Sequence, residues 1–422
     1  MRKNKAAGHM IILAVGTLLT ALLNFATQFM LAKHMSPSDF GIFSSAFYLT
    51  MTVAPLCGFG IPQFWLKAFG SEGWGGARFL IPGLTFTLFT TSIIIIILSG
   101  WFLYTEYYHQ KLLFLLSFIV ISQVLIELFG AVYQLEENYI AVSVVQTSVY
   151  ILRFCVLIIV YLAFDEVSIS NISVGYALIS VLMLIVTYGV LKRLLKKDVY
   201  LKGHSKKEII HLPNVDKFEM IKESAVFGIS GVFYMVYYQV NIVLVKYFIS
   251  TEDAGYYSVA FLFISAAILF PTVIYQKYLL PKLHRWAYQD VSKLKVVYKY
   301  GNMLMFIFGA IVTCTIYFIS PFIISFLFGQ KYIDAIKLIQ LMALSIPIIY
   351  LASNSGAILV TKDNMRAKVK IMFIASIISL ISFFLFYKHI GVYAGVFATI
   401  LSNLFICLAY NYKCIVFLEA SK

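Results

Sequence analysis

Long uninterrupted apolar segments are the feature of this sequence that most constrains its fold. One of them, from Ser92 to Leu103, reads SIIIIILSGWFL. About twelve such segments of roughly 20 residues follow one another, and this is the length that crosses a hydrocarbon core of about 30 Å. The chain is 61% hydrophobic and 12% charged, whereas a soluble domain carries about 25% charged residues. The sequence therefore predicts an integral membrane protein with no large soluble domain.

The apolar segments are expected to be helices. They show no alternation of polar and apolar residues, and they are too long for the strands of a membrane barrel. The fold class is therefore all-α, with about twelve transmembrane helices. The predicted spans are 10–32, 40–62, 79–104, 111–133, 139–163, 170–191, 224–249, 255–276, 301–327, 333–360, 369–387 and 391–416.

The distribution of basic residues predicts the orientation in the membrane. If the N-terminus is cytoplasmic, the outer loops hold six of the 33 Lys and Arg residues and Arg153 lies inside a span, which leaves 26 on the inner side. Inner loops of membrane proteins carry such an excess, so both termini are expected in the cytoplasm. The net charge of +14 then faces anionic lipids, and no nucleic-acid partner is expected.

Two inner segments are longer than the others. Residues 192–223 are polar and basic, and they predict a cytoplasmic linker between an N-terminal lobe, 1–191, and a C-terminal lobe, 224–422. Residues 282–299 place apolar and basic side chains on opposite helical faces. This pattern favours a helix that lies in the inner membrane interface. The alternative is a cytoplasmic extension of the next span.

An internal repeat relates the two lobes. DFGIFSSAF from Asp39 and DAGYYSVAF from Asp253 share five of nine residues at an offset of 214. A second match pairs GAVYQLEENYIA from Gly130 with GAILVTKDNMRA from Gly356, at an offset of 226. Because six spans separate the copies, both lobes start on the same side of the membrane. The prediction is two parallel six-helix repeats around a central cavity.

Paired repeats of this kind are typical of transporters, with the substrate path between the lobes. The alternative is a duplication that only enlarged a helical bundle. The sequence has no hydrolase triad, nucleotide-binding loop or metal-ligand spacing, and its five cysteines are scattered. We therefore expect no enzyme activity, no cofactor and no metal. Without a nucleotide site, transport would run on an ion gradient or on substrate turnover, and both remain open.

The chain resembles the multidrug/oligosaccharidyl-lipid/polysaccharide exporters. The resemblance is carried by the steps FGIF and AGYY after the first span of each half, and by the segment FGQKYIDAIKLIQLMALSIPIIYLASNSGAILVTKDN from Phe328. The number of spans looks most like the Wzx-type flippases of O-antigen and surface polysaccharide.

This resemblance implies a function and a cargo. The cargo would be an undecaprenyl-diphosphate-linked oligosaccharide, moved across the bacterial cytoplasmic membrane by alternating access. Membrane lipids, a polysaccharide polymerase and a chain-length regulator would be its partners, and a monomer is expected. The alternatives are a cation-coupled multidrug exporter of the same superfamily and, less favoured because the outer loops are short, a membrane glycan polymerase or ligase.

A diphosphate cargo needs cations inside the membrane, and Arg153 lies near the middle of span five. A charge at that depth costs a few kcal/mol and is usually functional or paired, and a guanidinium binds phosphate in bidentate fashion. The alternative is a buried ion pair with Glu127 of span four. Glu127 could instead couple transport to protons or cations, because desolvation favours its protonated form.

Polar residues in three spans are candidates for the wall of the cavity. The alternative role for each is an interhelical hydrogen bond. The candidates are Asn24, Gln28, Tyr237, Tyr238, Gln239, Asn241 and Asn354.

Three further residues have predicted roles near the path. Lys67 would meet phosphate at the cytoplasmic mouth, and the alternative is a solvated loop lysine. Pro55 and Pro271 occupy nearly equivalent places in spans two and eight, where proline removes a backbone hydrogen bond and can bend the helix. We interpret them as bend points for movement of the lobes.

Overall fold

The structure is a computed structural model, and it describes residues 2–106, 110–164, 166–201, 215–361 and 364–420. Helices account for nearly all of these residues, and no β-strand occurs among them. The predicted all-α fold is therefore confirmed. Residues 202–214 of the predicted linker lie outside the described residues.

Most predicted spans coincide with one long helix. The described α-helices are α1 (Arg2–His34), α2 (Pro37–Gly58), α3 (Ile61–Glu72), α4 (Leu80–Glu106), α5 (Ile119–Leu135), α6 (Tyr139–Ala163), α7 (Ile169–Leu195), α8 (Lys217–Phe248), α9 (Thr251–Thr272), α10 (Leu280–Gln289), α11 (Val291–Ile323), α12 (Ala335–Ala343), α13 (Ile346–Ile358), α14 (Met365–Ile390) and α15 (Tyr393–Ala420). Short 3₁₀ helices cover Gly73–Phe79, Lys111–Phe118 and Gln330–Tyr332, and π-helices cover Val273–Leu279 and Ile324–Phe328.

The number of spans agrees with the prediction of about twelve. Ten segments of the described chain are long and apolar enough to cross a membrane. One of them, Pro37–Thr105, holds both α2 and α4. Span ten is broken: α12 and α13 meet at an angle of 43°.

The predicted amphipathic helix 282–299 is divided at Asp290. Residues before it belong to α10, and residues after it begin α11, so the second part is an extension of the next span. Asp290 accepts a hydrogen bond from the amide of Lys293, and the Ser292 hydroxyl together with Lys293 lowers the pKa of Asp290 to about 2. The apolar face of α10 is not presented to lipid, because Leu283 and Ala287 are fully buried in the protein.

The described contacts divide the chain into two compact units. Unit 1 comprises Met1–Leu23 and Leu49–Val232, and unit 2 comprises Asn24–Tyr48 and Phe233–Lys422. Helices α1, α2 and α8 therefore each contribute residues to both units. This division follows contacts whereas the predicted lobes follow the repeat, so the lobe boundaries stay a prediction.

The two copies of the repeated motif begin their helices in the same way. At the start of α2, the Ser36 hydroxyl donates to the Asp39 carboxylate (2.7 Å) and accepts from the Asp39 amide (3.1 Å). At the start of α9, Ser250 and Asp253 form the same reciprocal pair at 2.7 and 3.0 Å. Each pair satisfies an amide that a helix start would otherwise leave open. The repeat thus extends three residues upstream of its sequence match.

Within unit 2, the two copies also contact each other. Ser44 and Ser258, which are equivalent at the offset of 214, share a hydrogen bond of 2.6 Å. Gly41 and its equivalent Gly255 allow the backbones of α2 and α9 to touch, because a Cβ on Gly41 would lie 1.8 Å from the carbonyl oxygen of Thr251. Contact between equivalent residues indicates that an approximate two-fold axis passes between these helix starts.

Candidate functional site

Unit 2 contains a cavity of about 610 Å³. Its wall comes from α8, α9, the π-helix Val273–Leu279, the first residue of α10, and α13 to α15. This volume lies in the range of about 300–1,000 Å³ that is usual for small-molecule sites. The polar side chains of the wall are Tyr234, Tyr237, Tyr238, Thr272, Tyr275, Ser353, Lys368, Asn403 and Tyr410.

Lys368 is the only charged residue among the described lining residues. It lies in the first turn of α14. Its amine donates to the carbonyl oxygen of Gly356 at 3.0 Å and lies 5.8 Å from the centre of the Tyr410 ring. The carbonyl and the ring hold the amine at the wall, and the remaining two donors of the ammonium group can face a ligand.

Gly356 allows the Tyr410 ring to lie close to α13. A Cβ on Gly356 would come within 3.0 Å of this ring, which is tighter than ordinary van der Waals contact, and 3.8 Å from the Lys368 amine, which is an ordinary contact. A side chain at this position would therefore displace the ring that lies beside the Lys368 amine.

Three tyrosines on α8 form an aromatic cluster in the wall. The Tyr234 ring is stacked on Tyr238 with a centroid distance of 5.4 Å and meets Tyr237 edge-on at 5.5 Å. The Tyr238 hydroxyl donates to Ser265 at 3.3 Å. Tyr234 is the most accessible of the three, with 36% of its surface exposed. The cluster offers both aromatic faces and hydroxyl groups to the cavity.

The arrangement suits a ligand that carries negative charge and many hydroxyl groups. An ammonium group binds phosphate as a point charge, and tyrosine hydroxyls and the Asn403 amide can hydrogen-bond sugar hydroxyls. The lining within the described chain contains no carboxylate. A cationic ligand would therefore find no opposite charge in this wall.

The predicted polar residues of α8 separate into two groups. Tyr237 and Tyr238 line the cavity of unit 2. Gln239 and Asn241 are not among the lining residues: Gln239 donates to the carbonyl of Tyr48 (3.3 Å), and Asn241 donates to Ser379 (3.3 Å) and Thr399 (2.9 Å). These contacts correspond to the alternative role, interhelical hydrogen bonding.

Three other predicted polar residues also lie outside the cavity wall. Asn354 is fully buried and donates to Asn302 (2.7 Å) and to the carbonyl of Tyr298 (3.2 Å). Gln28 is buried and Asn24 is half-buried on α1. A polar residue within a span can meet a neighbouring helix as well as a cavity.

Arg153 and Glu127 have different neighbours in unit 1. Arg153 is 3% exposed, and its guanidinium carbon lies 5.3 Å from the ring centres of both Tyr150 and Tyr176. This is the geometry of a cation–π contact. The Glu127 carboxylate lies beside α2, where a Cβ on Gly58 would be 3.5 Å from it. A cargo-binding role for Arg153 and a coupling role for Glu127 stay predictions.

Lys67 lies on α3 and pairs with Glu223 at 3.1 Å. Both residues line a smaller pocket of about 290 Å³ in unit 1. Pro55 lies in the last turn of α2, which ends at Gly58. Pro271 lies near the end of α9, lines the large cavity and is followed by a π-helix. Their role as bend points stays a prediction.

Lys368 was not predicted as a site residue, because it falls in the basic inner loop before predicted span eleven. A signal was available in the helical periodicity. Lys368 precedes the buried residues Met372, Ala375 and Ser379 of α14 by four, seven and eleven positions, which places all four on one helical face. Its basic neighbours Arg366 and Lys370 lie off this face and are exposed.

Comparison with solved structures shows which fold the chain shares. The chain has the fold of the multidrug resistance MATE family transporters of the multidrug/oligosaccharidyl-lipid/polysaccharide (MOP) superfamily. An inward-facing structure of such a transporter matches with a TM-score of 0.70 and 13% identity over 95% of both chains. An outward-facing structure matches with a TM-score of 0.67 and 13% identity, covering 97% of this chain and 94% of the other.

A third match is a MOP superfamily transporter from Pyrococcus furiosus, described as having a binding pocket of reverse polarity. Its TM-score is 0.62 at 13% identity, over 97% of this chain and 94% of the other. Residues 7–286 match the model of the family described as "Polysaccharide biosynthesis protein", and the chain belongs to this family. It is thus a multi-span MOP-type transporter. A search of curated protein sequences finds no match.

Proposed function

We propose that this protein is a flippase that moves undecaprenyl-diphosphate-linked oligosaccharides from the cytoplasmic to the outer leaflet of the bacterial cytoplasmic membrane. The observation that carries the proposal is the unit 2 cavity, in which one lysine, five tyrosines and no described carboxylate line the wall. Lys368 supplies a charge for the diphosphate. The tyrosine cluster and Asn403 supply hydrogen bonds and aromatic faces for the sugars.

The membership in the polysaccharide biosynthesis family supports the same cargo. In this proposal the products are O-antigen or another surface polysaccharide of the lipopolysaccharide type. Both termini face the cytoplasm, the protein acts as a monomer, and a polymerase and a chain-length regulator receive the flipped units. The two lobes move by alternating access, and the lipid tail stays in the bilayer.

The test is complementation of a strain that lacks the protein. Loss of the flippase should strand lipid-linked repeat units on the cytoplasmic face and remove the surface polysaccharide. The Lys368→Ala variant should fail to restore the polysaccharide, and Lys368→Arg should restore part of it, because the charge is kept while its shape changes. Lys370→Ala is the matched control, since this lysine is exposed two residues away on the same helix.

If Lys368→Ala restores normal polysaccharide at equal membrane abundance, Lys368 is not needed for transport and the argument from the cavity fails. Normal polysaccharide in the deletion strain would reject the proposed function itself.

A cation-coupled multidrug exporter is the second candidate. The likeness in fold to multidrug transporters supports it. The cavity argues against a cationic drug, because its described wall holds an ammonium group and no carboxylate. The exporter proposal predicts a change in dye efflux and in sensitivity to cationic compounds on deletion, with unchanged surface polysaccharide.

A further inference from the structure

Two helices of unit 2 carry an internal proline, and each proline precedes a π-helix. Pro271 of α9 precedes the π-helix Val273–Leu279, and Pro321 of α11 precedes the π-helix Ile324–Phe328. Proline has no amide hydrogen, so it cannot donate to the carbonyl four residues earlier. The carbonyls that lose this bond are those of Ala267 and Tyr317.

Side chains of the broken span α12–α13 donate to both of these carbonyls. The Tyr350 hydroxyl of α13 donates to the carbonyl of Ala267 at 2.7 Å. The Gln340 amide of α12 donates to the carbonyl of Tyr317 at 3.1 Å. The Ser320 hydroxyl also approaches the Tyr317 carbonyl, at the longer distance of 3.4 Å. A break of 43° separates the two donors' helices.

The first of these hydrogen bonds lies directly behind the cavity wall. Pro271 and Thr272 of α9 and Tyr275 of the following π-helix line the cavity, and so does Ile349, the neighbour of Tyr350. Tyr350 is fully buried. The bond therefore joins α13 to α9, two helices that line the cavity, close to the place where α9 gives way to the π-helix.

We propose that Tyr350 and Gln340 are positioning residues that satisfy the carbonyls left open by Pro271 and Pro321, and that they thereby hold these turns of α9 and α11 in place. The broken span α12–α13 thus sets the orientation of the α9 segment that lines the cavity. Removal of either donor loosens the turn that the proline interrupts, and neither donor lines the cavity. The effect on cargo movement rests on the proposed function, whereas the effect on amide exchange does not.

A double-mutant cycle tests the assignment. Tyr350→Phe removes only the hydroxyl group. Pro271→Ala restores a backbone amide that can donate to the Ala267 carbonyl. In that background the Tyr350 hydroxyl is no longer needed to satisfy this carbonyl. The measurement is hydrogen–deuterium exchange of the amides of residues 272–275 in the full-length protein, reconstituted in lipid nanodiscs.

Tyr350→Phe should raise amide exchange about threefold in the wild-type background, the change that corresponds to an average interhelical hydrogen bond in a membrane. It should have no effect in the Pro271→Ala background. Tyr412→Phe is the control, because Tyr412 is 71% exposed on α15. An equal effect of Tyr350→Phe in both backgrounds, or no effect in the wild type, would overturn the assignment.

The hydrogen bond at Pro321 gives an independent test should Pro271→Ala fail to fold. Gln340→Leu should raise exchange in residues 322–326 of the wild type and leave it unchanged in Pro321→Ala. Flipping of fluorescent lipid-linked sugar, measured in vesicles on the same variants, should slow about threefold with Tyr350→Phe alone. A further outcome is that the unmodified protein flips no such lipid while Tyr350→Phe still raises amide exchange in the wild type and not in Pro271→Ala. In that case the proposed function fails and the positioning role stands.

Discussion

Ser44 and Ser258 occupy equivalent positions of the two repeats and are hydrogen-bonded to each other at 2.6 Å. A residue that contacts its own repeat equivalent must lie next to the axis that relates the copies. The start of α2 and the start of α9 therefore flank this axis. A movement that separates these helices must break the serine pair and the glycine contact beside it.

This geometry predicts a disulfide. In a variant with Ser44→Cys and Ser258→Cys, mild oxidation should cross-link the two sulfur atoms, because the serine oxygens are already close to the separation that a disulfide requires. Cross-linking should stop cargo movement, and a reductant should restore it. The cross-link is measured as a mobility shift on a denaturing gel after cleavage within the linker, and cargo movement is measured as flipping in vesicles. A variant with Ser45→Cys and Ser258→Cys serves as control, since Ser45 bonds to the Ile42 carbonyl of its own helix.

Gly41→Ala should destabilise the protein. The added Cβ would lie 1.8 Å from the Thr251 carbonyl oxygen and 2.7 Å from the Gly255 amide, and neither backbone atom can move aside alone. Overpacking of this kind costs about 1–3 kcal/mol or more. Thermal unfolding in detergent measures the effect. Gly100→Ala is the control, because no atom lies within 4 Å of a Cβ there, and an equal melting temperature for both variants would contradict the packing argument.

Arg153→Ala should abolish surface polysaccharide while the protein still inserts. Arg153→Lys should rescue only part, because lysine keeps the charge but loses the planar group that faces Tyr150 and Tyr176. Quantified surface polysaccharide, normalised to the protein in membranes, is the measurement. Arg366→Ala removes a charge from an exposed site and should behave as wild type. Full activity of the Arg153→Ala variant would show that the mid-span charge is dispensable.

Tyr234→Ala should weaken cargo binding more than Tyr234→Phe does. The ring stacks on Tyr238 and is partly exposed to the cavity. Its face is therefore available to a sugar in both tyrosine and phenylalanine. The concentration dependence of flipping in vesicles separates the two variants. A phenylalanine variant as weak as the alanine variant would assign the contribution to the hydroxyl group and not to the aromatic face.

The spans could be predicted from the sequence because lipid imposes a length and a composition on each one separately. Span nine shows the limit of this reasoning. Its apolar core was predicted from 301 to 327, but α11 begins at Val291, since the polar first turns extend beyond the hydrophobic stretch. The division at Asp290 depends on a cap made by one carboxylate, which hydropathy does not register.

The cavity was harder to predict because the same amide can face a ligand or a neighbouring helix. Tyr237 lines the cavity while Asn241, four residues later on the same side of α8, bonds to Ser379 and Thr399. Only the positions of α14 and α15 distinguish the two. The role of Lys368 was not predicted for a different reason. It lies at a helix start beside exposed basic residues, and it was counted with them as part of an inner loop.

The composition of unit 2 has a consequence for biosynthesis. Unit 2 takes Asn24–Tyr48 from the beginning of the chain and all its other residues from Phe233 onward. At a translation rate of about 5–20 residues per second, the ribosome needs roughly 10–40 s to pass from one part to the other. During this time the early segment sits in the bilayer without the helices it will pack against. Gly41 and Ser44 cannot make their contacts with α9 until that helix has been synthesised, so the order of synthesis differs from the order of assembly.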